Sequence, residues 1–165
     1  MYTCRDTWTA ILLCASLTLH GCSSGPPENT RPDSITSPEL LLQRGTKHYI
    51  DDNYVEAATD FEQALLQYRS IDHPVGIAKS CLNLARTKLA TNDRSSAASY
   101  LQRARVVIQN EGLHDYDGHL AILDSSLLIA DEDYPLAIAS LDSALSSDDA
   151  SIKLAALKNR PDIAF

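Results

Sequence analysis

The strongest constraint on this chain is a repeat. Ala57, Phe61 and Ala64 return 40 residues later as Ala97, Leu101 and Ala104, and after another 40 as Ala137, Leu141 and Ala144. Steps of four and three residues place each trio on one face of a helix. Alanine lets two helices approach closely, and the large residue between fills the remaining space. A fixed period of this size marks stacked supersecondary units, because one unit alone cannot cover its own apolar face. The expectation is an all-α solenoid of three helical hairpins closed by a C-terminal capping helix.

Local signals divide the chain accordingly. The hairpins read as residues 38–51 with 54–69, 75–91 with 94–110, and 117–131 with 134–147, followed by a helix at 149–159. Ser37-Pro38-Glu39 combines an N-cap, a first-turn proline and an acid at the positive helix end. Asn53, Asp93 and Asp133 occupy matching places in the three hairpins and are natural N-caps, with Glu56 completing a capping-box pattern after Asn53. The acidic clusters around them read as caps and solvated turns rather than metal sites. In the last helix, Ile152, Ala155, Ala156 and Leu157 are expected inward and Lys153, Lys158 and Asn159 outward, giving the stack a polar end.

The N-terminus has another character. Arg5 precedes a twelve-residue apolar run over residues 8–19, too short to span roughly 30 Å of hydrocarbon. Leu19-His20-Gly21-Cys22 follows and resembles the bacterial lipobox, in which the cysteine thiolate accepts lipid through a thioether. His20 is larger than the residue usual there, and Asp6 dilutes the positive charge. In the lipoproteins this resembles, Ser23 rather than Asp favours the outer membrane. The reading is a signal peptide at 1–21, a lipidated Cys22 with a flexible tether through residue 37, and a helical repeat domain at 38–165. The tether has three prolines and little to bury. Cys4 and Cys14 leave with the signal, so Cys81 has no disulfide partner and is expected as a small buried apolar residue.

The repeated positions resemble tetratricopeptide repeats. The first unit carries Gly45, Tyr49, Tyr54, Ala57, Phe61, Ala64 and Leu65. The second carries Leu84, Ala85, Ala97, Leu101 and Ala104, and the third Leu128, Tyr134, Ala137, Leu141, Ala144 and Leu145. The units, at about 38–77, 78–117 and 118–147, exceed the family's period of roughly 34. The surplus is expected in longer helix ends and in the loops near 71–75 and 110–117. Arg44 and Asp124 stand where the family has leucine, and Ser125 where it has Gly or Ala. The resemblance implies a groove lined by the first helices, at Leu42, Thr46, Tyr49, Leu82, Arg86, Leu89, Ile122, Ser126 and Ile129. It implies a protein or peptide partner, an apolar or amphipathic segment bearing a carboxylate.

Catalysis finds little support. There is no glycine-rich phosphate loop, HExxH or CxxC. A net charge of −8 argues against nucleic acid. The nearest metal-capable run is His114-Asp115-Tyr116-Asp117-Gly118-His119, at no recognised ligand spacing and explained by a helix start capped by Asp115 or Asp117. The expectation is a non-catalytic adaptor at the periplasmic face of the outer membrane. It needs no cofactor beyond the lipid on Cys22, touches membrane through that anchor alone, takes no small-molecule substrate, and is auxiliary to a larger envelope assembly. The alternatives are a metal-dependent or enzymatic protein using His114 to His119, and a self-assembling structural protein.

Overall fold

Helices of this length are marginal in water, so each depends on the face it buries. The computed structural model describes residues 37–161. The expected signal peptide, Cys22 and the expected tether through residue 36 lie outside the described residues. Those described form α1 (Pro38–Ile50), α2 (Tyr54–Ser70), α3 (Pro74–Ala90), α4 (Arg94–Glu111), a 3-10 turn (His114–Tyr116), α5 (Asp117–Ala130), α6 (Tyr134–Leu145) and α7 (Ala150–Lys158). No strand occurs among them, and no helix is long and apolar enough to cross a membrane. Each helix packs on the next in chain order. The first helices also meet across the hairpins, α1 with α3, α3 with α5, and α5 with α7. This is the solenoid-like all-α arrangement that the 40-residue period implies.

The repeated trio forms the buried seam. Ala57, Ala64, Ala97, Ala104, Ala137 and Ala144 have no solvent exposure, and Phe61, Leu101 and Leu141 retain at most 2%. Size is matched across each hairpin. A Cβ added to Gly45 of α1 would stand 2.7 Å from the Phe61 ring of α2, so only glycine admits that aromatic side chain. Where Leu101 and Leu141 replace the phenylalanine, Ala85 and Ser125 take the glycine's place, all buried. Ser125 is accommodated because its hydroxyl donates to the Ile122 carbonyl at 2.7 Å.

The turns carry a finer period than the side chains. Asp52, Asp72, Asn92, Gly112 and Glu132 adopt left-handed backbone with φ between 50° and 63°. They lie 20 residues apart, one behind each of the first five helices. At each, the following residue donates back to a carbonyl five positions earlier: Asn53 to His48, His73 to Tyr68, Asp93 to Lys88, Leu113 to Ile108 and Asp133 to Leu128, at 2.8–3.0 Å. This is the Schellman closure, which satisfies the last carbonyls and reverses the chain in about three residues. The connection near residues 71–75 is therefore as tight as the turns within hairpins. The surplus over a shorter repeat lies in the 17 and 18 residues of α2, α3 and α4 and in the 3-10 turn, not in a loop after α2.

Caps follow in part. The Asp93 and Asp133 side chains accept from Ser96 and Leu136 backbone N–H groups at 3.1 and 3.3 Å. Asn53 caps by position without a side-chain hydrogen bond, so the capping box expected with Glu56 is absent. Neither Asp115 nor Asp117 caps α5, because the 3-10 turn runs directly into it and Tyr116 occupies the N-cap. In α7, Ile152 and Ala156 are buried as expected. Leu157, expected inward, is 56% exposed beside Leu154 at 54%. Asn159, expected outward, donates through Nδ2 to Ser126 Oγ at 3.0 Å.

Two ion pairs sit at the positions where leucine is displaced. Asp60, 3% exposed, is gripped by Arg44 through the Nε and Nη2 edge of its guanidinium, with Nε donating to Oδ2 at 2.8 Å. His48 Nδ1 lies 3.2 Å from the same carboxylate but is too poorly aligned to bond it. Between hairpins, Arg105 of α4 meets Asp124 of α5 at 2.7 Å. One repeat earlier, these positions hold Leu65 and Leu84, both in the main core. The Arg105 pair is imperfect, since its Nε is buried without a partner.

Three outcomes are expected. Gly112 has nothing within 4 Å of an added Cβ, so Gly112→Ala should cost about 1 kcal/mol through backbone strain alone, while Glu132→Gly should gain a few tenths to about 1 kcal/mol. Chemical denaturation measures both. Asp124→Leu alone should destabilise by about 1–3 kcal/mol by stranding Arg105, whereas R105L/D124L should match or exceed the parent. Hydrogen bonds from Ser96 hold the Asp93 carboxyl below its ordinary 3.8, and those from Ser151 do the same for Asp149. Because the folded chain favours the ionised form, this stabilisation is complete above about pH 5 and fades as pH falls through 3.8 toward the lowered folded values. Thermal melts should fall in that acidic window, and less so in D93N, which keeps an acceptor without the charge.

Candidate functional site

The first helices α1, α3 and α5 present one face of the stack, and the nine groove positions distribute over it unevenly. Leu42 is half-buried and packs on the core, and Thr46 is exposed. Its hydroxyl donates to the Leu42 carbonyl at 2.8 Å. Tyr49 is half-buried, with its ring 5.4 Å from that of Tyr54 in an edge contact. Leu82 is only 6% exposed and belongs to the main core. It supports the face from beneath and cannot line it. Arg86 is exposed, and Leu89 packs half-buried on the core. Ile122, Ser126 and Ile129 are half-buried. Ser126 donates to the Ile122 carbonyl at 3.0 Å and accepts from Asn159.

These residues do not converge on a single groove. Leu42 and Thr46 join Glu39 and Gln43 of α1, Lys79 and Asn83 of α3, and Tyr68 around a depression of about 480 Å³. The Tyr68 hydroxyl donates to Glu39 Oε1 at 3.2 Å. Burial, then the charge of Glu39, push this phenol up to about 12. Arg86 and Ile122 join His119 and residues of α7 around a smaller depression of about 160 Å³. Tyr49, Leu89 and Ile129 line neither.

Lys79, Asn83 and Arg86 lie at steps of four and three along α3 and form a polar stripe on the side turned away from the core. Glu39, Gln43 and Thr46 occupy the matching places on α1, and His119 and Ser126 on α5. That stripe is legible in the sequence at the same 40-residue register, and Thr46, Arg86 and Ser126 of the expected groove belong to it. Neither Lys79 nor Arg86 has a carboxylate within salt-bridge distance among the described residues.

The His114 to His119 segment opens elsewhere. It borders a polar cleft of about 770 Å³ shared with Ser143, Ser146, Ser147, Asp148 and Asp149. His114 Nδ1 lies 3.1 Å from Asp117 Oδ2, both well exposed. Among the described residues, no group of three or more His, Cys, Asp or Glu side chains is gathered as metal ligands would be. Cys81 is 1% exposed and free, and burial pushes its thiol up to about 11, well away from a reactive thiolate.

No family model matches the chain, and neither a curated protein nor a solved structure matches it.

Proposed function

We propose that this chain is a non-catalytic adaptor that captures another protein through the stripe-bearing face of its first helices. The observation that carries the reading is Lys79 and Arg86 of the central helix, free of acidic partners among the described residues and flanked by Asn83, in a chain of net charge −8. Cationic donors left open on a rigid helical surface suit a partner segment carrying carboxylates. Leu42 and Ile122 beside them add apolar contact at the two depressions. Such binding needs no reorganisation of the helices, which limits its entropic cost.

The resemblance of the repeated positions to tetratricopeptide repeats supports the same reading, since that family binds peptides and partner helices on its first-helix face. The lipobox-like segment ending at Cys22 supports a lipid anchor, with Ser23 favouring the periplasmic face of the outer membrane. Anchoring confines the domain to a thin layer and raises its effective concentration toward neighbours there. An auxiliary role in an envelope assembly, such as secretion, outer-membrane assembly or cell-wall enzyme control, fits a chain of this size.

Photo-crosslinkers placed at Thr46 and at Lys79 in intact cells should trap the same partner. Arg86→Glu should reduce the yield about tenfold or more while leaving the melting temperature within a few degrees of the parent. Cys22→Ser should abolish lipid labelling and release the domain from the membrane fraction. Unchanged crosslinking in the Arg86 variant would count against this face.

A further inference from the structure

A further concavity, of different chemistry, lies where α2, α3 and α4 meet. It is a half-open hollow of about 320 Å³ between Leu65 of α2, Ile77 of α3, and Val106 and Val107 of α4, with the buried Cys81 also in its wall. The polar members of its lining are Arg69, Gln102 and Arg103, all exposed and so at its rim. Neither guanidinium has a carboxylate within salt-bridge distance among the described residues. Arg103 lies 5.5 Å from the centre of the Tyr100 ring, a cation–π contact that steadies it. An aliphatic hollow edged by two unpaired cations calls for a ligand with an apolar body and one negative end.

We propose that this cavity binds a medium-chain aliphatic carboxylate. The alkyl chain lies against Leu65, Ile77 and Val107, and the carboxylate sits between Arg69 and Arg103, with Gln102 as a further donor. The volume sets the length: at the ~30 Å³ that condensed matter allots a small group, it holds roughly ten non-hydrogen atoms, the size of octanoate. The walls also select against a peptide. They are faces of helices whose backbone groups are bonded internally, so the amides of an inserted peptide would lose water without gaining backbone partners. An alkyl chain carries no such groups. This site is separate from the first-helix face and does not rest on the adaptor reading.

Octanoate titrated into the full chain tests the proposal, with backbone amide shifts followed residue by residue. Saturable shifts confined to α2, α3 and α4 are expected. R69Q/R103Q changes only exposed side chains, so folding is retained, and should weaken octanoate about tenfold or more. 1-Octanol, of equal length but uncharged, should bind the parent comparably less well. Absence of saturable shifts in this region, equal octanoate affinity in R69Q/R103Q, or equal affinity for 1-octanol would each overturn the proposal. So would tighter binding by a peptide with an apolar C-terminal residue, which would give the cavity to polypeptide ends.

Discussion

The architecture depends on how closely helices can approach at six alanines. Ala57, Ala64, Ala97, Ala104, Ala137 and Ala144 are wholly removed from solvent, and each pair brackets one large side chain. Any longer side chain at these points would push the helices apart and leave a void beside Phe61, Leu101 or Leu141. Voids lose dispersion contacts outright, so the penalty would be felt along the stack. The first-helix face exists because this seam holds the second helices at a fixed distance beneath it.

The turns convert that pairwise constraint into a regular stack. A left-handed residue closes a helix every 20 positions from Asp52 to Glu132, so the chain reverses by the same geometry each time. Four of the five positions carry a Cβ, and three of those are Asp or Asn, the residues whose short polar side chains tolerate this backbone best. The regularity lapses after Gly112, where the turn His114–Tyr116 delays the start of α5. The polar cleft bordered by Ser143 to Asp149 opens at this lapse. The 3-10 turn brings the run of His and Asp side chains to the edge of that cleft.

Charge is distributed with more purpose than the net value suggests. Arg44 and Asp124 displace leucines, yet each finds an opposite charge, on Asp60 of its own hairpin or on Arg105 of the preceding one. Such pairs add little net stability over apolar residues, but they penalise misregistered packing, because a slipped helix would bury an unpaired charge. Lys79 and Arg86 on one face, and Arg69 and Arg103 beside the aliphatic cavity, have no such internal role among the described residues.

The amino-acid sequence by itself determined the helices, their number and their order, because periodicity, caps and the alanine seam are local or evenly spaced signals. Burial of Cys81 was legible there too, as a small residue in the middle of a helical pattern with no expected disulfide partner. Tertiary structure alone decided which neighbours met. The same α3 surface holds Leu82, which turned inward to the core, and Arg86, which stayed out, and their fates depend on how α1 and α5 flank that helix. Leu157 emerged into solvent for the same reason: α7 packs through Ile152 and Ala156, and a short helix has room for one buried stripe. The aliphatic cavity had no linear signature, as its lining comes from three helices separated by two turns. Spacing along a chain specifies a face, but only the angle at which faces meet leaves a hollow between them.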